Sequence, residues 1–195
     1  MTPPSRVAGA SGVLGPASFV GAWAVCGALR DDGYSPVQDA ISQLARVGSP
    51  TRVGMTAGFL GFGLLLPVFA QRLPGLVGAG RAVRVVATVA GVSTLGVAAL
   101  PLQREAGGRG DALHAVAAGV GYVAMAATPL LAARGLRRTG RGRAAALSAG
   151  VGIASATALT VSVTTGPTGL WQRVGLGVVD VWFATWALHS LRGRS

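Results

Sequence analysis

Six apolar runs, each about long enough to cross a bilayer, constrain this chain more than any other feature. They cover residues 8–29, 54–70, 85–102, 113–133, 144–166 and 171–191. A hydrocarbon core of roughly 30 Å takes about 20 helical residues, and backbone in lipid must satisfy its own hydrogen bonds, so runs of this kind are expected to be spanning helices. The expected fold class is all-α integral membrane: a compact six-transmembrane-helix bundle, one polytopic membrane domain over residues 1–195. The second run is short and broken by Pro67. The first carries Ala22 and Ala24 in the manner of a signal cleavage site, but it is long, contains Pro16 and precedes five more runs, so it reads as a retained span.

Charge then orients the bundle. All 17 basic residues are arginines, set against six acids for a net charge of +11. In a soluble protein that balance points to nucleic acid; here the arginines lie almost entirely between apolar runs, no soluble domain carries a basic face, and no nucleic-acid partner is expected. One side holds Arg6, Arg72, Arg81, Arg84, Arg134, Arg137, Arg138, Arg141, Arg143, Arg192 and Arg194 with no acid. The other holds Arg30, Arg46, Arg52, Arg104, Arg109 and Arg173 with Asp31, Asp32, Asp39, Glu105 and Asp111. Eleven arginines against six in short loops predict a multi-pass plasma-membrane protein with both termini cytoplasmic.

The longest interval between runs contains YSPVQDAISQLARVG, Tyr34 to Gly48. Ser35, Pro36 and Gln38 have the order of N-cap, N1 and N3, and Gly48 supplies a stop. Val37, Ala40, Ile41, Leu44 and Val47 share one helical face, with Asp39, Ser42, Gln43 and Arg46 on the other. The spacing predicts a short extracytoplasmic interfacial helix between spans one and two, its polar face turned to water or into an opening between the spans. Small residues four apart (Ala17/Gly21, Gly54/Gly58, Ala115/Gly119, Ala117/Gly121, Ala146/Gly150 and Gly152/Ala156) predict close helix packing.

Little in the chain carries chemistry by motif. Without lysine there is neither a Schiff-base residue nor a Walker loop, and the single cysteine, Cys26, forms no intramolecular disulfide or CxxC pair. His114 opens span four and His189 closes span six, roughly 25–30 Å apart, so they cannot share a metal. No metal or other cofactor is expected. Ser42, Asp39 and His114 make a conceivable nucleophile set, but no GxSxG elbow surrounds the serine. Asp180 is the sharpest residue: nine residues beyond Trp171, it lies ~13 Å deep, where an acid costs on the order of 3 kcal/mol unless satisfied. It is expected to face the bundle interior as a neutral acid with hydroxyl partners from span three or five, Ser93, Thr94, Ser155 and Thr157 lying at similar depth. Arg173, on the same helix face and two turns nearer the mouth, extends a polar track toward the surface. The candidate ligand-binding residues are Asp180, Arg173, His114, Asp39, Gln43, Arg104, Glu105 and Gln172.

The sequence resembles the uncharacterised bacterial six-span membrane family catalogued as domain of unknown function 998. DAISQLARVGSPTR (39–52) before a Gly-rich second span, Leu113 and His114 opening span four after a polar loop, and GLWQRVGL (169–176) opening span six carry the resemblance. Where the family pattern leads one to expect a proline closely followed by an acid, this chain has Pro101, Gln103 and Arg104, with Glu105 only later. The resemblance implies the fold and no reaction.

Three functional readings follow. The first is a polytopic protein binding a small or lipid-like ligand in an outward-facing polar pocket between spans three to six, roofed by the helix of 35–48. The second is an intramembrane enzyme acting on a lipid or isoprenoid substrate through Asp180, His114 and the outer carboxylates. The third is a structural or partner-binding subunit whose basic loops hold anionic membrane lipids. Alternating-access transport is disfavoured because no pair of threefold repeats is apparent.

Overall fold

Among the described residues, six long helices alternate in direction and close into a ring, each packing on its chain neighbours, with the last packing back onto the first. The computed structural model describes residues 3–164 and 166–193. The start of the polar lead (Met1, Thr2), Thr165 of span five, and Arg194 and Ser195 of the tail lie outside the described residues. The helices are α1 (Pro3–Ala28), α2 (Arg52–Ala70), a single short turn α3 (Leu73–Val77), α4 (Arg81–Ala99), α5 (Arg109–Arg138), α6 (Gly142–Thr164) and α7 (Thr168–Arg192). All six long helices are apolar and long enough to cross a membrane. At 1.5 Å per residue the 30 residues of α5 run ~45 Å, longer than a ~30 Å core, with polar residues at both ends (Arg109 and Asp111, Arg137 and Arg138).

Pro67 does not break the second span. α2 runs unbroken to Ala70, and the Gly63 carbonyl that loses its helical donor to proline faces Gly91 of α4, where a Cβ would sit 3.1 Å from it. The reciprocal approach, the Gly91 carbonyl against Gly63, brings the two backbones together as small residues in lipid allow. Gly58 and Gly152 also lie in tight contacts, but Gly21, Gly119 and Gly150 face open space, so half of the small-residue pairs point outward rather than into a seam. The turn expected over 71–84 contains α3, whose Leu73 and Val77 are fully buried and plug that end of the bundle.

The helix expected at 35–48 does not form as one piece. A single turn follows Ser35, and a 3-10 turn covers Ile41–Ala45, set off on both sides by extended residues, Ala40 (ψ 146°) and Arg46 (ψ 147°). The cap itself forms: Ser35 Oγ accepts the Gln38 N–H at 3.2 Å, and Asp39 Oδ2, rather than Gln38, reaches back to the Ser35 N–H at 2.7 Å. The helix fails to propagate because tertiary partners take the carbonyls it needs. Ile41, Leu44 and Ala45 are buried, whereas Val37 is exposed.

Candidate functional site

The first turn of α7 captures that loop. Leu170 N–H donates to the Val37 carbonyl at 2.9 Å, and the Ile41 N–H donates to Gln172 Oε1 at 3.0 Å. Arg173 Nη1 donates to the Pro36 carbonyl (2.6 Å), the Gly169 carbonyl (3.0 Å) and the Asp39 carbonyl (3.4 Å), while Nη2 reaches the Tyr34 hydroxyl. Its guanidinium lies 5.2 Å from the Trp23 ring centroid, a cation–π contact that holds the same group against α1. The approach requires glycine at 169, where a Cβ would come within 2.5 Å of both the Asp39 and the Pro36 carbonyl oxygens. On the opposite flank the Val47 N–H donates to the Leu102 carbonyl at 2.9 Å, and Gly48 (φ +90°) admits the Arg104 guanidinium. The loop is thus fastened at both edges, to α7 and to the α4–α5 turn.

Beneath it lies a cavity of about 60 Å³. Ile41 and Ser42 form the roof, and Phe19, Phe59 and Phe62 of α1 and α2 give an apolar wall. Ser93 and Thr94 of α4, His114 and Tyr122 of α5, and Gln172 of α7 bring the polar groups. Two of these are held in defined states by the protein. His114 Nδ1 stands 2.7 Å from the Leu100 carbonyl, which can only accept, so of the two neutral tautomers the contact selects the one with the proton on Nδ1 and Nε2 as acceptor. The Gln172 oxygen is taken by Ile41, leaving its NH2 group as a donor in the cavity. The α4 hydroxyls are less available, since Ser93 and Thr94 donate to the carbonyls of Val89 and Ala90 one turn back on their own helix.

Asp180 is 2% exposed, faces the interior and lies one turn beyond Leu176, which lines the cavity floor, without lining the cavity itself. The hydroxyl partner expected for it is missing: neither carboxylate oxygen has a hydrogen bond, and neither has Ser155 Oγ. Gly175 packs against Leu159, and Trp182 Nε1 donates to Ser148 Oγ at 3.0 Å; these contacts set α6 against α7 in a register that leaves the Ser155 hydroxyl and the Asp180 carboxyl without each other.

Of the sequence candidates, the structure brings His114 and Gln172 together on the cavity. Arg173 lies next to Gln172 but turns to the loop, and Asp39 serves as a cap. Gln43 is half-buried and does not line the cavity, Arg104 abuts Gly48, and Glu105 is exposed on its turn. Asp111, one of the outer carboxylates, accepts the Gln103 and Gly107 N–H groups with its two oxygens. Asp39, Ser42 and His114 do not assemble as a nucleophile set, because the Asp39 carboxylate is bound to Ser35. Sequence reading missed Tyr122 and Tyr34. Tyr122 was within reach: His114, Ala117, Ala118, Gly121, Tyr122 and Met125 repeat at i, i+3, i+4, i+7, i+8 and i+11, one stripe of α5. Tyr34 carried no such signal.

Six apolar helices closed around a partly polar core, their outer faces carrying residues such as Val53, Leu147 and Val123 at 71–83% exposure, define a multi-pass membrane protein. The chain belongs to the family described as Protein of unknown function (DUF998), which matches residues 13–189. No curated protein and no solved structure matches it.

Proposed function

We propose that the protein binds a small amphipathic molecule, with an apolar body and one hydrogen-bonding end, in the cavity under the 41–45 turn. The observation that carries this reading is the convergence of a Gln172 donor, a His114 acceptor and the Tyr122 and Ser42 hydroxyls, from three separate segments, on one mostly apolar space with a phenylalanine wall. About 60 Å³ holds roughly two waters at ~30 Å³ each, enough for a hydroxyl or carbonyl end. The body of a longer ligand enters when the roof shifts. In this reading the 34–48 segment is an extracytoplasmic lid, both termini are cytoplasmic, and the membrane is the plasma membrane, as the arginine asymmetry favours.

A series of straight-chain alcohols and isoprenols tests the site through thermal unfolding of the detergent-purified protein. Ligand at a hundredfold over its Kd stabilises by about 2.7 kcal/mol, and the gain should vanish in Gly121→Leu, which fills the cavity where a Cβ has only Ser93 at 3.6 Å. Equal stabilisation of that variant, or none of the wild type, rejects the reading. Topology is tested separately with cysteines at Ser49 and Thr139 in a Cys26→Ala background. An impermeant thiol reagent applied outside should label the first and spare the second.

A further inference from the structure

At the end of the bundle away from the lid, α5 and α6 leave a groove of about 490 Å³ lined by Leu130, Ala133, Arg134, Arg137, Arg138 and Ala149. The three arginines sit at i, i+3 and i+4, one face of the last turn of α5, directly after the apolar run 113–133. Among the described residues none of them makes an ion pair or hydrogen bond within the protein, and no carboxylate stands at that end: five of the six acids are in or beside the loops of the opposite end, and Asp180 is mid-bundle. Arg141 is different, since Nη1 donates to the Leu76 carbonyl at 2.7 Å and its guanidinium covers Trp186.

The groove does not end at the arginines. Leu130 also lines a second groove of about 430 Å³ that runs up the same α5–α6 seam past Ala126, Ala127, Val123 and Ala156 and is almost wholly apolar. From Leu130 to Gly119 it follows eleven residues of α5, ~16 Å of axis. A cationic head site joined to an apolar trough, the first at headgroup depth and the second within the hydrocarbon, has the shape and polarity of one molecule class.

We infer that the α5–α6 seam is a specific binding site for an anionic glycerophospholipid, its phosphate held by Arg134, Arg137 and Arg138 and one acyl chain lying along Leu130, Ala127 and Ala156. Arginine suits the role because its planar donors engage phosphate oxygens in pairs and its charge persists at any physiological pH. The arginine end of the site lies away from the cavity under the lid and stands without it; Tyr122, at the far end of the apolar groove, lines both.

Phosphatidylglycerol titrated into the full-length protein in phosphatidylcholine nanodiscs, read by the unfolding midpoint, tests the inference. The wild type should be stabilised saturably by phosphatidylglycerol, and neither by more phosphatidylcholine nor by inorganic phosphate. Arg134→Gln/Arg137→Gln/Arg138→Gln should weaken the apparent affinity about a hundredfold, three cations near an anionic surface being removed. Arg72→Gln/Arg81→Gln/Arg192→Gln removes as much charge from the same end and should leave the affinity within about threefold. If the first triple variant does not fold, Ala149→Trp keeps every charge while filling the groove, and should abolish the saturable stabilisation. Equal losses in the two triple variants, an unchanged affinity in Ala149→Trp, or stabilisation by free phosphate alone would overturn the lipid site.

Discussion

The two ends of the bundle use the same residue for opposite purposes. At the roofed end Arg173 is turned inward, donating to three backbone carbonyls and lying against Trp23, whereas at the basic end the guanidinium groups of Arg134, Arg137 and Arg138 line a groove and have no acceptor among the described residues. The difference lies in the backbone nearby. The 34–48 segment is made of turns, so its carbonyls lack helical donors and a guanidinium can satisfy several at once. At the basic end the α5–α6 connection is only 139–141, and helical bonding extends almost to the tips. Arg141 supports the rule from the other side, since the carbonyl it finds, that of Leu76, lies at the frayed C-terminus of α3. In this bundle Arg173 and Arg141 turn inward to carbonyls that lack helical donors, and Arg134, Arg137 and Arg138 have none beside them.

The contrast is tested first at Gly169. Gly169→Val pushes a side chain into two backbone oxygens that cannot move without releasing the loop, so it should cost about 3 kcal/mol or more. Protease cleavage within residues 30–50 should appear with it; a variant both stable and protected would show that α7 does not hold the lid. Next in size, Arg173→Lys should cost roughly 2 kcal/mol by thermal unfolding, since an ammonium has one nitrogen and no planar face, and cannot hold the loop carbonyls, the Tyr34 hydroxyl and the Trp23 ring together. A comparable loss from Arg137→Lys would end the distinction between the two ends.

Between them, Asp180 belongs to neither network. Asp180→Leu should raise stability by about 1 kcal/mol, because it removes a buried carboxyl with no partner, whereas Asp180→Asn should bring no such gain. A destabilised leucine variant would mean that an internal group does bind the acid. At the basic end Arg137→Gln should change the unfolding free energy in neutral detergent by no more than about 0.5 kcal/mol. The smallest effect concerns acid. The Arg30 guanidinium, hydrogen-bonded to Asp32 at 2.6 Å, holds that carboxyl below its ordinary range. The folded-state value is depressed, so the pair's contribution is present above the unfolded carboxylate value of about 3.9 and fades as pH falls through the lower folded value. Comparing wild type with Asp32→Asn from pH 5 to 2 should show a small difference that closes toward the acid end. Among the described residues, acid has no carboxylate to titrate at the basic end.

Span number and approximate limits were legible because lipid imposes one requirement on every residue of a crossing segment, and apolar length records it directly. The burial of Asp180 was legible for a related reason, since depth is counted along one chain; the cavity-lining stripe of α5 that holds Tyr122 was missed, although helical face is counted in the same way. The Ser35 cap was also readable, since its partners lie within four residues. What followed that cap was not. Whether Val37 to Arg46 continues as a helix depends on competition for its carbonyls and N–H groups by Leu170, Gln172 and Arg173, more than 120 residues away, and local propensity is weak against such partners. The missing partner of Asp180 is decided in the same way. Sequence sets the depth of Ser155 and Asp180 to within a turn, but a hydrogen bond needs agreement within an ångström, and only the packing of Gly175 on Leu159 and of Trp182 on Ser148 fixes the register of α6 against α7.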